Sequence, residues 1–119
     1  MTERANDKKA EDVAAVLAAI AAMPEEDRNI SERIHVIITK NAPELLPRTW
    51  YGMPAYHNGS HIVCWFRSGK KFGERYMTLG FNDVAKLDND GMWPISFAIT
   101  KLTQTVEDEI AALIKKAVA

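Results

Sequence analysis

Residues 50–66 read WYGMPAYHNGSHIVCWF and place an Asn-Gly pair between two runs rich in aromatic and β-branched side chains. Such runs favour strands, and Asn-Gly between them predicts a β-hairpin. A two-residue type I′ turn needs positive φ at both central residues, which Asn58 and Gly59 tolerate. With these two as the loop, Tyr56 is predicted to pair with His61.

This register sorts the hairpin side chains into two faces, because successive residues of a strand point to opposite sides of the sheet. The face predicted to lie against the core carries Tyr51, Met53, Ala55, Ile62, Cys64 and Phe66. The opposite face carries Trp50, Gly52, Pro54, Tyr56, His61, Val63 and Trp65. The second face is rich in rings, so it is either covered by another helix or chain, or binds something.

The remainder of the chain predicts helices at both ends and further strands in between. Apolar residues at helical spacing run from Val13 to Met23 and from Ile30 to Ile38, and Pro24 separates these two helices. His35 lies beside the second stripe and is predicted to face solvent. Residues 1–9 are polar and are predicted to form a lead-in to a single domain over residues 10–119.

The order of elements predicts the fold class. Strands are predicted near residues 48–57, 60–67, 75–81 and 94–99, and a third helix is predicted to begin near Thr103 or Thr105. Two helices, several strands and a final helix predict an α+β fold in which the helices pack on an antiparallel sheet of four or five strands.

Composition narrows the class of protein. The 119 residues carry a net charge of −1, which disfavours a strongly basic nucleic-acid binder. Cys64 is the one cysteine, so the sequence offers no internal disulfide. No apolar run approaches the roughly 18 residues of a membrane span, and the polar N-terminus does not have the pattern of a signal peptide. These features predict a cytoplasmic protein without a membrane partner.

Several separated blocks of the chain agree with one family in order. They read MPEE at 23–26, WYGMPAY at 50–56, VCWF at 63–66, YMTLGF at 76–81 and MWP at 92–94. Together they resemble the YdhG-like domain family of small bacterial proteins. The resemblance implies the same α+β architecture. One member of that family is described as a frataxin-like iron chaperone, so the resemblance also implies iron handling as an alternative function. It supplies no catalytic residues.

Three sets of side chains are candidates for binding. Rings on an amphipathic surface suit a small ligand or a protein partner, including a second copy of this chain. The candidate ligand-binding residues are Trp50, Tyr51, Tyr56, Trp65, Tyr76 and Trp93. Basic side chains around an aromatic ring suit an anion, although a solvated hairpin tip has the same composition. The candidate anion-binding residues are Arg67, Lys70, Lys71 and Arg75.

The third set is acidic and is the candidate for iron. Glu25, Glu26 and Asp27 begin the second helix, and carboxylates are the hard ligands that iron accepts. Acidic residues are also typical of a helix N-terminus because they complement the helix dipole. Both interpretations stay open at the level of sequence.

Catalytic motifs do not emerge from the sequence. The Gly69-Lys70-Lys71 segment lacks the earlier glycine of a P-loop, because Cys64 stands at that position. Cys64 itself is predicted to be a buried and inert thiol. The sequence therefore predicts a non-catalytic binding module that needs no cofactor. The alternatives are an iron chaperone, and a small enzyme with a pocket beside Tyr51, Tyr56 and Trp93.

Overall fold

The computed structural model describes residues 3–119, with side chains from Asn6 onward. Within this range the helices are α1 Glu3–Ala21, α2 Glu25–Asn41 and α3 Gln104–Val118, and a single 3₁₀ turn covers Lys70–Phe72. The strands are β1 Leu46–Trp50, β2 Met53–His57, β3 Ile62–Arg67, β4 Met77–Phe81 and β5 Ser96–Ile99. The strands form one antiparallel sheet in the order β1-β2-β3-β4-β5. The predicted α+β fold is confirmed.

Helix α1 begins earlier than the sequence analysis places it. Residues 3–9 of the predicted lead-in are helical, and Met1 and Thr2 lie outside the described residues. Lys8 Nζ lies 3.0 Å from the Asp12 carboxylate four residues on, an ion pair that stabilises this part of α1. A polar segment without an apolar stripe can therefore still extend a packed helix.

Helices α2 and α3 begin where their sequences supply suitable termini. Pro24 is the N-cap of α2, and three acidic residues follow it in the first turn. The N-cap of α3 is Thr103, whose hydroxyl accepts a hydrogen bond from the Val106 N–H at 3.2 Å. The apolar stripes of both helices are buried, including Ile34 and Ile114.

The core lies between the helices and one face of the sheet, here called the inner face. The inner face carries Tyr56, Cys64, Phe66, Met77, Leu79 and Phe81. The helices contribute Val16, Ile20, Ile34, Ile38, Ile110 and Ile114 to the same buried cluster. The predicted burial of Cys64 is confirmed, and that burial raises the pKa of its thiol to about 12.

The two-residue turn with positive φ occurs in a different place from the one predicted. Tyr51 and Gly52 join β1 to β2 with φ values of 51° and 77°, and Trp50 pairs with Met53 across them. Positive φ at both residues is the feature of a type I′ turn. The predicted strand over residues 48–57 is therefore two strands, and the sheet has five strands, in agreement with the predicted four or five.

The predicted two-residue turn at Asn58 and Gly59 is wrong. Residues 58–61 form a longer loop, and the β2–β3 pairing begins with His57 opposite Ile62. The Asn58 side-chain oxygen accepts hydrogen bonds from the N–H groups of Ser60 and His61, at 3.0 and 2.9 Å. Asn58 thus closes the loop with its side chain, and only Gly59 has the positive φ.

The longer loop and a register shift at Tyr56 and His57 reverse the predicted faces of β2 and leave those of β3 unchanged. Tyr56 lies opposite Cys64 and points inward, whereas it was predicted to point outward. Ala55 lies opposite Trp65 and points outward, although it is fully buried there. The predicted inward direction of Cys64 and outward direction of Trp65 are confirmed.

The inward position of Tyr56 gives it a partner on α2. Its hydroxyl lies 2.7 Å from Nδ1 of His35, which is half-buried and not solvent-facing as predicted. Burial raises the pKa of Tyr56, so the phenol stays protonated. Burial lowers the pKa of His35, so the imidazole that faces the phenol is uncharged near neutral pH. This buried polar pair joins α2 to the sheet.

We expect the His35–Tyr56 pair to make stability fall on acidification. Because the pKa of His35 is lower in the folded chain than its usual value of about 6.5, the unfolded chain binds the proton first as pH falls. The free energy of unfolding should therefore be lower near pH 5 than near pH 7.5, as measured by urea titration at both values. His35→Gln keeps an acceptor and should remove much of this difference.

His57→Gln is the matched control. The pKa of His57 is also lowered by burial, but its Nδ1 accepts only from the exposed Gly59 N–H, at 3.0 Å. This substitution should change the pH dependence less than His35→Gln. An unchanged pH dependence in the His35 variant would contradict the role assigned to that ring.

Candidate functional site

The face of the sheet opposite the core, here called the outer face, carries a connected row of aromatic rings. The ring of Trp50 lies 5.0 Å from that of Tyr51 and 6.3 Å from that of Trp65, centroid to centroid. Trp50 and Trp65 belong to β1 and β3, so the row crosses the intervening strand β2. Ala55 of that strand lies opposite Trp65 and is fully buried.

The Trp65 side chain is held in one position by Gly80 of β4 and by Asn82, which follows that strand. Its ring lies over Gly80, where a Cβ atom would stand 2.1 Å from the Cζ2 atom of Trp65. Its Nε1–H donates a hydrogen bond to Oδ1 of Asn82 at 3.0 Å. Glycine at position 80 therefore makes room for the indole, and the hydrogen bond fixes its orientation. This gives the outer face a rigid base.

A cleft of about 750 Å³ opens beside this aromatic row. It is formed by the end of β1 and by the long connection between β4 and β5. Its lining residues are Trp50, Phe81, Asn82, Asp83, Ala85, Gly91, Met92, Trp93 and Ile95. We call it the Trp50–Trp93 cleft. Pockets that bind small molecules have volumes of roughly 300–1,000 Å³, so this cleft has the size of a ligand site.

The lining combines apolar surface with a few polar groups. Trp50, Trp93 and Met92 offer large polarisable side chains, while Asn82 and Asp83 supply an amide and a carboxylate. The Asn82 oxygen is already bonded to Trp65, so its amide N–H groups are the part of Asn82 that suits a ligand. An apolar cavity with few polar groups is the usual composition of a small-molecule site.

The structure brings together only some of the predicted ligand-binding residues. Trp50 and Trp93 line the cleft, and Tyr51 and Trp65 border it through Trp50. Tyr56 is buried on the inner face, so its predicted place in an outer aromatic surface is wrong. It cannot line a pocket with Trp93 either. The physical reason is the shifted register of β2, which turns the side chain toward His35.

Tyr76 lies apart from the cleft. The Arg75 guanidinium stands 5.7 Å from the centroid of its ring, and both residues line a smaller cavity with Glu26 and Lys70. Conversely, Asn82, Asp83 and Met92 line the cleft although they were not predicted as binding residues. Local pattern offered no signal for them, because they reach the cleft only through the path of the β4–β5 connection.

The three acidic residues predicted as iron ligands do not converge. Asp27 is buried, and its carboxylate accepts hydrogen bonds from the Ser68 hydroxyl and from the N–H groups of Gly69 and Lys70. Glu25 and Glu26 are exposed. Among the residues that the structure describes, no three His, Cys, Asp or Glu side chains form a group that could hold a metal ion. Asp27 instead fixes the loop that follows β3.

The predicted anion-binding residues are engaged with separate neighbours. Arg67 donates to Glu74 at 2.6 Å and lies over the ring of Phe72 at 4.5 Å from its centroid. Lys70 lies 3.2 Å from the Glu26 carboxylate. Lys71 also approaches the Phe72 ring, and Arg75 contacts Tyr76. Two of the four basic side chains, Arg67 and Lys70, are therefore paired with carboxylates, and Lys71 and Arg75 lie against aromatic rings.

None of the helices in the described part of the chain is both long and apolar enough to cross a membrane. Comparisons of the chain with protein-family models, with curated proteins and with solved structures gave no match. The resemblance to the YdhG-like family accordingly stays a prediction.

Proposed function

We propose that this protein is a non-catalytic binding module that takes a small organic molecule with a flat apolar surface into the Trp50–Trp93 cleft. The observation that carries the proposal is a cleft of about 750 Å³ lined by two indoles, beside an aromatic row whose base is fixed by Gly80 and Asn82. A preformed apolar site loses little conformational entropy when it binds a ligand.

The distribution of titratable groups supports binding in preference to catalysis. Among the residues that the structure describes, His35, Tyr56, His57 and Cys64 have shifted pKa values, and these four lie outside the cleft. Catalytic acids and bases usually have shifted pKa values and lie in the substrate pocket. We also propose that the protein is a YdhG-like domain, which the sequence resemblance supports. We propose that it is cytoplasmic, which its single, buried cysteine supports.

A protein surface is the second candidate occupant. Met92 and Ile95 are 85% and 55% exposed at the edge of the cleft, and Tyr51 is 86% exposed beside it. Exposed apolar side chains in one patch are typical of a docking surface. A second copy of this chain placed there would cover the same cleft and compete with a small molecule.

The test uses N-phenyl-1-naphthylamine, an uncharged aromatic probe that fluoresces when it leaves water. We expect saturable binding of one probe per chain, and Trp93→Ala should weaken it about tenfold because an aromatic contact in a pocket contributes about 1.4 kcal/mol. Phe72→Ala is the matched control, since Phe72 is an exposed aromatic side chain outside the cleft. It should leave the dissociation constant within about twofold.

The outcomes separate the two candidates. Equal affinity in the wild type and the Trp93 variant would contradict a ligand site in the cleft. Binding that disappears as the protein concentration rises would favour the second copy as the natural occupant, because the two copies would then cover the cleft. In that case the dissociation constant of the dimer should also depend on Trp93.

A further inference from the structure

We propose that the Trp50–Trp93 cleft selects organic cations, of the ammonium class, over neutral or anionic molecules of the same shape. This inference rests on the proposed function and adds the charge of the ligand. Its first support is the ionisable composition of the lining, in which Asp83 is the sole charged side chain and neither Lys nor Arg occurs. The cleft therefore presents a net negative charge to whatever enters it.

The carboxylate of Asp83 is not neutralised by the protein. Its side chain is exposed, and none of the ion pairs formed among residues 6–119 includes it. The surrounding connection reinforces its charge, since residues 82–95 contain three Asp against one Lys, a net charge of −2. A cation in the cleft would gain a charged partner, whereas an anion would be repelled.

The two indoles supply the second attraction for a cation. The face of an aromatic ring carries negative electrostatic potential, and tryptophan is the strongest of the side chains that bind cations in this way. Trp50 and Trp93 line the cleft from different parts of the chain, one from β1 and the other from the β4–β5 connection. The polarisable thioether of Met92 adds surface that suits the methyl groups of a quaternary ammonium.

The geometry thus combines two kinds of group that recognise the same ligand. Aromatic rings hold the methylated, weakly hydrated surface of an ammonium group, and a carboxylate balances its charge. A neutral molecule of equal shape receives only the apolar contact. The difference between the two isolates the electrostatic part of the binding.

The experiment measures displacement of N-phenyl-1-naphthylamine by two isosteres, phenyltrimethylammonium and tert-butylbenzene. The two compounds differ at one atom, which is a positively charged nitrogen in the first and an uncharged carbon in the second. We expect the cation to bind about tenfold more tightly than its neutral isostere. Asp83→Asn should reduce this preference to about threefold, because it removes the charge and leaves the rings. In the wild type, added salt should weaken binding of the cation more than binding of the neutral compound.

Asp88→Asn is the matched control, because Asp88 is an exposed carboxylate of the same connection that does not line the cleft. It should keep the preference of the wild type. Equal affinity of the two isosteres, or an Asp83 variant with the wild-type preference, would overturn the inference while the uncharged probe still shows the cleft binding. Failure of the uncharged probe itself would instead overturn the proposed function.

Discussion

Gly69→Ala is expected to destabilise the protein by about 3 kcal/mol or more. A Cβ atom at this position would stand 1.9 Å from the carbonyl oxygen of Tyr76 and 2.5 Å from its carbonyl carbon. Both atoms belong to the backbone, so no side-chain rotation can relieve the overlap. The loop after β3 and the start of β4 would have to separate. Chemical denaturation monitored by tryptophan fluorescence measures the free energy of unfolding.

Lys70→Ala provides the control for this substitution. Lys70 is exposed, and its ion pair with Glu26 joins two side chains in contact with solvent. Such a pair contributes little, so the variant should unfold within about 0.5 kcal/mol of the wild type. If Gly69→Ala were as stable as this control, the close approach of residues 69 and 76 would be wrong.

Asp27→Ala is expected to cost about 3 kcal/mol of stability. The substitution leaves three donors without their acceptor: the Ser68 hydroxyl and the N–H groups of Gly69 and Lys70. Two of these residues are buried, so water cannot replace the carboxylate without entering the fold. Thermal and urea denaturation would both register the loss.

Two further variants make this test specific. Asp27→Asn keeps one acceptor oxygen and should fall between the wild type and the alanine variant. Glu26→Ala removes a neighbouring carboxylate that is 77% exposed and should change stability by less than about 0.5 kcal/mol. Equal effects at positions 26 and 27 would contradict the buried hydrogen-bond role of Asp27.

Asp27 also shows that an acidic residue at a helix N-terminus can serve any of three purposes. A run of three acids at a helix N-terminus is consistent with the helix dipole, a metal site or a structural acceptor. Only the position of the loop after β3, 41 residues away from Asp27, decides between them. That loop directs the N–H groups of Gly69 and Lys70 toward the first turn of α2, where the buried carboxylate of Asp27 accepts their hydrogen bonds.

The proposed ligand site was only partly predictable from the sequence, because some of its residues are placed by strand alternation and others by the path of a long connection. The alternation of β3 is enough to direct Trp65 outward and Cys64 inward, and both directions are confirmed. Trp93 was predicted as a ligand-binding residue, but its place in the cleft beside Asp83 depends on the path of a 14-residue connection, residues 82–95. Such a path has no period that sequence analysis could detect.

The residue pattern alone predicts the three helices, the antiparallel sheet and the inward and outward residues of β3. These depend on local periodicity, which the chain carries within single elements. The positions of the turns, and hence the direction of Tyr56, depend on contacts that form only in the folded chain. An Asn-Gly pair permits a tight turn, but the side chain of Asn58 closes a longer loop, and Tyr51 and Gly52 turn the chain instead. The burial of Tyr56 against His35 then favours this register, because pairing between strands depends on contacts that are distant in sequence.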